Sequence, residues 1–243
     1  MRILLINPNT SLEVTERVAA HARAAAGEGI ELVPATGRFG ARYISTRAAA
    51  AIAAHATLDA FAEHGDGCDA VFLACFGDPG LDALRELSPV PVVGMADASC
   101  ALACMLGRRF SIITGGLLWK PMLEEFVAHI DLTGRLASVR TVASTGGDIA
   151  RDPEGSLAVL AAESRAAVQA DGADVIVLGG AGLAGLAARI ANEVPAPVLC
   201  SVEAGIRAAI AAGSLHHRKA EQGSFAAPPP VLSSGLSAHL AMA

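Results

Sequence analysis

Short apolar runs recur along this chain at near-regular intervals, each stopped by glycine, proline or asparagine before a longer stretch begins. Arg2 to Ile6 is the first, broken by Asn7-Pro8-Asn9. Ile30 to Pro34, Ala70 to Ala74, Val90 to Gly94, Arg109 to Ile113, Leu136 to Ala143, Asp174 to Leu178 and Pro197 to Cys200 follow. Unbroken apolar runs of this length read as strands buried on both faces. The stretches between them read as helices: Thr10 to Ala26, Thr46 or Arg47 to His64, Pro79 to Leu87, Asp97 to Leu106, Leu117 to Ile130, Pro153 to Ala170, Ala184 to Asn192 and Glu203 to Ala212. Thr10-Ser11-Leu12-Glu13 has the form of a capping box, with Thr10 as N-cap and Glu13 at N3. Pro121 falls in a first turn, where its missing N–H is tolerated. Strand and helix alternate throughout, which predicts an α/β fold of mostly parallel sheets with helices on both faces.

The pattern also repeats. Asp69 to Cys75 lies over Asp174 to Gly180 at a shift of 105 residues, Pro89 to Gly94 over Pro195 to Cys200 at 106, and Ile3 to Asn7 over Phe110 to Thr114 at 107. Three segments at nearly one shift predict two similar lobes related by a pseudo-twofold, with a cleft between them. The lobes are expected at 1–107 and 108–212, with the N-terminal part of the first swapping contacts with the second. From Gly213 the periodicity is lost, and 213–243 reads as a C-terminal tail, docked on a neighbour, rather than a third lobe. Loops after Ile6, Cys75, Ile113 and Leu178 would line the cleft.

Composition narrows the function. The chain has 243 residues, 53% apolar and 17% charged, with net charge −6 and pI about 5.6. It has ample core material and no Lys/Arg cluster, which argues against nucleic acid or an acidic membrane surface as partner. Trp119, Tyr43 and seven Phe make up the aromatics, too few for base-stacking platforms. The five cysteines are Cys68, Cys75, Cys100, Cys104 and Cys200, an odd count without CxxC pairs or zinc spacing, so no metal is expected. MRILLINPNTS has no signal-peptide hydrophobic region, and no apolar run is of spanning length; a reduced, cytoplasmic protein is expected.

One stretch carries the chemistry, residues 69 to 82, DAVFLACFGDPGLD. Its strand ends on a thiol and runs straight into Phe76-Gly77-Asp78-Pro79-Gly80. A cysteine there sits at the carboxyl end of a strand facing the next helix, where open α/β sheets bind ligands and where amides and the helix dipole favour a thiolate. Most free cysteines are simply small buried hydrophobes; the GDPG loop sets Cys75 apart.

Taken together, INPNTS (Ile6 to Ser11), ACFGDPGL (Ala74 to Leu81), PVVGMADAS (Pro91 to Ser99), GRRFSIITG (Gly107 to Gly115) and DVIVLGGAGLAGL (Asp174 to Leu186) resemble the aspartate/glutamate racemase superfamily. Within it the likeness is to hydantoin and allantoin racemases, over roughly residues 1–212. The resemblance implies a two-lobed fold and cofactor-independent chemistry on a small carbon acid that is hydantoin-, allantoin- or amino-acid-like. Racemases of this family use two cysteines, one per lobe, and Cys75 matches the first. The second belongs to a GCAGM-like motif that here reads Gly179-Gly180-Ala181-Gly182-Leu183, so Gly180 stands in its place.

Three functions therefore stay open. The first is a racemase in which another group or a water serves the second face, with Cys200 and Glu203 as candidates for the second acid/base. The second is a single-cysteine enzyme resembling the arylmalonate decarboxylases, which carry their cysteine in the second lobe. The third is a non-catalytic protein that binds a small molecule with carbonyl or carboxylate groups. Asn9 and Thr10 are candidate donors to such a group, though Asn7-Pro8-Asn9 serves equally as turn chemistry. Phe76, Gly77, Gly115, Gly116, Gly180, Ala181 and Gly182 offer strand-end backbone to an oxyanion, and Thr114 a hydroxyl beside them. Asp78 reads as a turn or cap residue, His55, His64 and His129 as solvated, and Tyr43 as a residue closing over the cleft. A homo-oligomer is expected.

Overall fold

The computed structural model describes residues 1–216, 218–229 and 231–241. The first lobe runs β1 (Arg2–Asn7), α1 (Leu12–Ala26), β2 (Glu31–Thr36), α2 (Arg47–His64), β3 (Ala70–Leu73), α3 (Leu81–Leu87), β4 (Val92–Gly94) and α4 (Met95–Leu106). The second runs β5 (Phe110–Gly115), α5 (Trp119–His129), β6 (Leu136–Val142), α6 (Gly146–Arg151), α7 (Pro153–Asp171), β7 (Val175–Leu178), α8 (Leu186–Ile190), β8 (Val198–Cys200) and α9 (Ser201–Ser214), with short 3-10 turns at Thr133–Arg135, Ala181–Leu183 and Ala191–Glu193. Each lobe holds one four-stranded, wholly parallel sheet, in the orders β2-β1-β3-β4 and β6-β5-β7-β8. The same order, one repeat apart, is the pseudo-twofold expected from the sequence. The repeat even reaches single backbone conformations: Gly80 (φ 84, ψ 12) and Gly185 (φ 81, ψ −8) are left-handed N-caps of α3 and α8.

Strand side chains divide by parity, as the pleat requires. Ile3, Leu5, Ala70 and Phe72 face a core that is continuous with Phe110, Ile112, Ile176 and Leu178 of the second sheet. Leu4, Ile6, Val71 and Leu73 face a smaller cluster with Leu84 and Ala60 on the outer side of the first sheet. The lobes thus share one apolar interior, and they share it by exchanging helices. α4 packs on β5, β7 and β8 of the second lobe, whereas α9 packs on β3, β4, α1 and α4 of the first. The exchange falls on the last helix of each repeat, in addition to the contact of α1 with the 3-10 turn at Ala181–Leu183.

Local differences have local causes. The helix expected from Thr10 has Ser11 as N-cap without a side-chain cap bond; Asn9 Oδ1 accepts from Ser11 N at 2.8 Å instead. A full capping box does exist, at Thr145 and Asp148, opening α6. The tail begins after Ser214, and it folds back on its own first lobe: Lys219 Nζ donates to Arg85 O (2.9 Å) and Ser88 O (2.8 Å), the carbonyl end of α3. Residues 217, 230, 242 and 243 of that tail lie outside the described residues. Among the described residues no helix is long and apolar enough to cross a membrane.

The exchanged helix depends on a close approach. A Cβ on Gly205, in the interior of α9, would lie 2.2 Å from Phe72 Cε2. Alanine in a helix interior ordinarily gains up to ~1 kcal/mol over glycine; overpacking against a buried ring costs about 1–3 kcal/mol and wins here. Gly205→Ala should therefore lower unfolding stability by about 1–2 kcal/mol, measured by urea titration, and Phe72→Leu in the same chain should cost less than it does alone. A stabilised Gly205→Ala would show that the ring is free to move.

Candidate active site

The strand ends of both lobes meet at a cavity of about 440 Å³, within the range for small-molecule sites. Asn7 and Asn9 reach it from β1, Ala74, Cys75 and Phe76 from β3, Thr114 and Gly115 from β5, and Gly180, Ala181 and Gly182 from β7. These are the four strand ends that the repeat pointed to. Thr10 and Gly77 adjoin this set without lining the cavity, and Cys200 and Glu203 do not line it. Cys200, a candidate for the second acid/base, is buried as the N-cap of α9, and Glu203, the other candidate, lies in the first turn of the same helix.

On the first-lobe side the turn is built tightly. Asp78 N donates to Cys75 O (3.0 Å), Gly77 has φ 99 and Asp78 φ 45. The Asp78 carboxylate is buried and accepts from Ala96 N (2.9 Å) and Asp97 N (2.8 Å), capping α4. It fits only because Gly94 has no side chain: a Cβ there would lie 2.2 Å from Asp78 Oδ2. Asp78 is thus a cap, bonded to helix amides 18 and 19 residues further along the chain. Burial pushes its carboxyl up to about 7 despite the two donors. Burial likewise pushes the Cys75 thiol up to about 12, with the Asp78 charge adding to it. The thiolate-favouring effect expected of the loop and helix is outweighed by the apolar surroundings; α3 is only seven residues long and begins at Leu81. Cys75 keeps 8% of its surface open and lines the cavity.

The polar groups left for a ligand follow from what is already satisfied. Asn7 Nδ2 is spent on Asn9 Oδ1 (2.9 Å), Thr15 Oγ1 (2.9 Å) and Ser11 O (3.2 Å). Asn9 Oδ1 is thereby occupied, which leaves Asn9 Nδ2 for the cavity. Gly116 N donates to Val142 O (2.9 Å) and Gly180 N to Ser201 Oγ (3.2 Å), so neither amide serves an oxyanion. Phe76 N has no protein acceptor among the described residues, and the amides of Ala181 and Gly182 open a 3-10 turn, where first-turn N–H groups have no internal partner. Thr114 Oγ likewise has no protein partner among the described residues. The second-lobe wall is open at Gly180: a Cβ there would meet Thr114 Oγ1 at 3.6 Å and Leu183 Cδ1 at 3.5 Å, ordinary contacts, although φ is 126.

Two aromatic contacts hold the walls together across the lobes. The Phe76 ring covers Gly179, where a Cβ would lie 2.5 Å from Cζ, and Trp119 covers Gly77, where a Cβ would lie 2.9 Å from Cζ3. Tyr43 closes over the cleft as expected and locks there. Its hydroxyl donates to Gly115 O (3.1 Å) and accepts from Trp119 Nε1 (3.2 Å) and Gly146 N (3.4 Å). Burial raises its pKa, so a phenol whose proton is engaged by Gly115 remains a latch rather than a base. His129 pairs with Asp82 at 2.7 Å, between α5 and α3.

Sequence reasoning missed a whole wall. Ser11, the N-cap of α1, with Val14 and Arg17 of that helix, Arg42 and Ile44 of the loop after β2, and Thr145, the N-cap of α6, with Gly146, Gly147 and Arg151 also line the cavity. Ser11, Val14 and Arg17 recur every three residues from the N-cap, a spacing that places them on one helix face; that signal was present. Among the described residues there is no group of His, Cys, Asp and Glu that would hold a metal ion.

A family model described as Asp/Glu/Hydantoin racemase matches residues 3–209. A hydantoin racemase of Pseudomonas sp. (strain NS671) is 36% identical over 208 residues, 85% of this chain and 84% of that protein. A hydantoin racemase of Paenarthrobacter aurescens is 35% identical over 230 residues, 94% of this chain and 98% of that one. The crystal structure of an allantoin racemase from Pseudomonas fluorescens superposes with a TM-score of 0.93 at 32% identity, over 97% of this chain and 100% of that chain.

A thiol held near 12 reacts in proportion to its scarce thiolate. Iodoacetamide labelling of Cys75, followed by peptide mass mapping, should rise about tenfold per pH unit between pH 7 and 10 without levelling off. A plateau below pH 9 would mean that the loop amides, not burial, dominate the thiol.

Proposed function

The chain belongs to the Asp/Glu/hydantoin racemase family and is an isomerase of that kind; we propose that it racemises a small hydantoin-, allantoin- or amino-acid-derived carbon acid through Cys75, without a cofactor. The observation that carries this is one thiol on the cavity wall, with unused donors around it: Phe76 N, Ala181 N, Gly182 N, Asn9 Nδ2 and Thr114 Oγ–H. Cys75 as thiolate takes the proton from the acidic C–H, the C–H electron pair moves onto the adjacent carbonyl oxygen, and the donors hold the resulting enolate. The reverse transfer from Cys75 gives exchange on the same face. Inversion needs a proton from the other face, and a water in the space beside Gly180 supplies it; the hydroxide so formed takes the Cys75 S–H proton, which restores the water and the thiolate.

The same geometry favours one second reading. At pH 7.5 a thiol pushed up to about 12 costs roughly 6 kcal/mol to deprotonate; proton abstraction meets that cost before it can begin, whereas a proton donor is already in its working form at rest. A substituted malonate that loses CO₂ at its own expense leaves an enediolate, which needs only the Cys75 S–H proton. Burial of the thiol and the glycine at position 180 both suit this single transfer.

Incubating each enantiomer of a candidate hydantoin in D₂O separates the readings. Wild type should incorporate deuterium at the acidic carbon, and Cys75→Ala should slow this at least 10³-fold, about 4 kcal/mol. Gly180→Cys, which restores a thiol opposite, should raise inversion relative to exchange about tenfold if the second face limits the wild type. CO₂ release from aryl- or alkylmalonates without hydantoin exchange would replace racemisation by decarboxylation. Bound ligand with neither reaction would leave a binding protein.

A further inference from the structure

Nine of the 18 Lys and Arg residues of this acidic chain, net −6, form ion pairs with Asp or Glu among the described residues. Arg38 pairs with Asp59, Arg85 with Asp97, Arg140 with Asp171 and Glu163. The partly buried Arg2, Arg109, Arg135 and Arg165 all donate to carboxylates or carbonyls. Arg17 departs from this. It is half-buried on the cavity wall and, among the described residues, its guanidinium has neither a hydrogen-bond acceptor nor an ion-pair partner. Arg42 lines the same cavity from the loop after β2, also without a partner among the described residues. The other charged lining residues are Glu13 and Arg151; Arg151 is already paired with Asp148, and Glu13, one turn before Arg17, forms no ion pair with it. Arg17 is half-buried with its nitrogens open rather than buried, and Arg42 is exposed, so both guanidinia are free to take an acceptor from a ligand.

Resting on the racemase reading above, we propose that the substrate is an anion, a carbon acid whose side chain carries a carboxylate held by Arg17 and Arg42 while its acidic C–H faces Cys75. A guanidinium is matched to a carboxylate by its planar fork, and positive charge in a recess of a negative protein draws anions selectively. The apolar wall of Val14, Ile44 and Leu183 receives the body of the molecule. The lining residues therefore divide the work: the strand-end turns carry the chemistry, and Arg17 of α1 with Arg42 of the loop after β2 selects by charge.

The test compares hydantoin-5-acetate, an anion, with the neutral 5-isobutylhydantoin, by deuterium exchange at C5 in wild type. The anion should be favoured at least tenfold in kcat/KM at low salt, with the ratio shrinking as salt rises. In Arg17→Ala/Arg42→Ala the ratio should fall at least tenfold; Arg17→Lys/Arg42→Lys should retain part of it. Calorimetric binding of hydantoin-5-acetate to Cys75→Ala provides the second readout, and should be lost when the two arginines are also replaced. A wild-type preference for the neutral compound, or a ratio and a binding constant indifferent to the arginines, overturns the proposal. Absence of exchange on both compounds with arginine-dependent binding intact would instead overturn the racemase reading and leave the anion site standing.

Discussion

Two rings pressed onto two glycines hold the strand ends of this molecule at the separation where a cavity exists. Phe76 from the first lobe lies on Gly179 of the second, and Trp119 from the second lies on Gly77 of the first. A ring against a bare backbone brings two chain segments closer than any pair of side chains allows, and both contacts are adjacent to the residues that matter chemically, Cys75 and Gly180. Tyr43 adds hydrogen bonds to Gly115, Gly146 and Trp119 in the same seam. The exposed Arg47–Glu125 ion pair spans the seam as well, but its exposure limits it to a small contribution. The seam is held by packing.

The parts of this fold that were legible in the sequence are those set by short-range rules. Apolar runs with glycine or proline stops located the eight strands, most plainly the central β1, β3, β5 and β7, which are buried on both faces, whereas the edge strands β2 and β6 are buried only in part. The repeat gave the pseudo-twofold and paired Cys75 with Gly180, and the match of Gly80 to Gly185 shows that it extends to backbone angles. The misreadings share one cause, which is that a local motif competes with a partner elsewhere. Thr10 and Glu13 have the spacing of a capping box, yet Asn9 reaches Ser11 N first and the helix starts one residue later. The six-residue helix at Gly146, which supplies a wall of the cavity, is too short to have a period. Periodicity likewise says that α4 and α9 have apolar faces without saying which sheet each one covers.

Cys75 illustrates how environment overrides position. Its place at a strand end, beside amides, argues for a thiolate; its apolar neighbours and the buried Asp78 argue for a thiol, and burial prevails. Asp78 is itself held against its solvation preference because α4 needs a cap where Gly94 leaves room. The cap that anchors a helix on the neighbouring lobe therefore bears on the protonation of the one thiol in the cavity.

The exchange of α4 and α9 also constrains how the molecule can be made. A ribosome releases the first lobe's four strands well before Ser201 to Ser214 emerge, and until then the Phe72 face of β3 and β4 lacks the helix that covers it, although α1 already lies on β1 and β2. Chains that emerge with such a face uncovered are exposed to aggregation. The first half of this protein thus waits for the last helix of the second, and its two look-alike halves are one unit of synthesis.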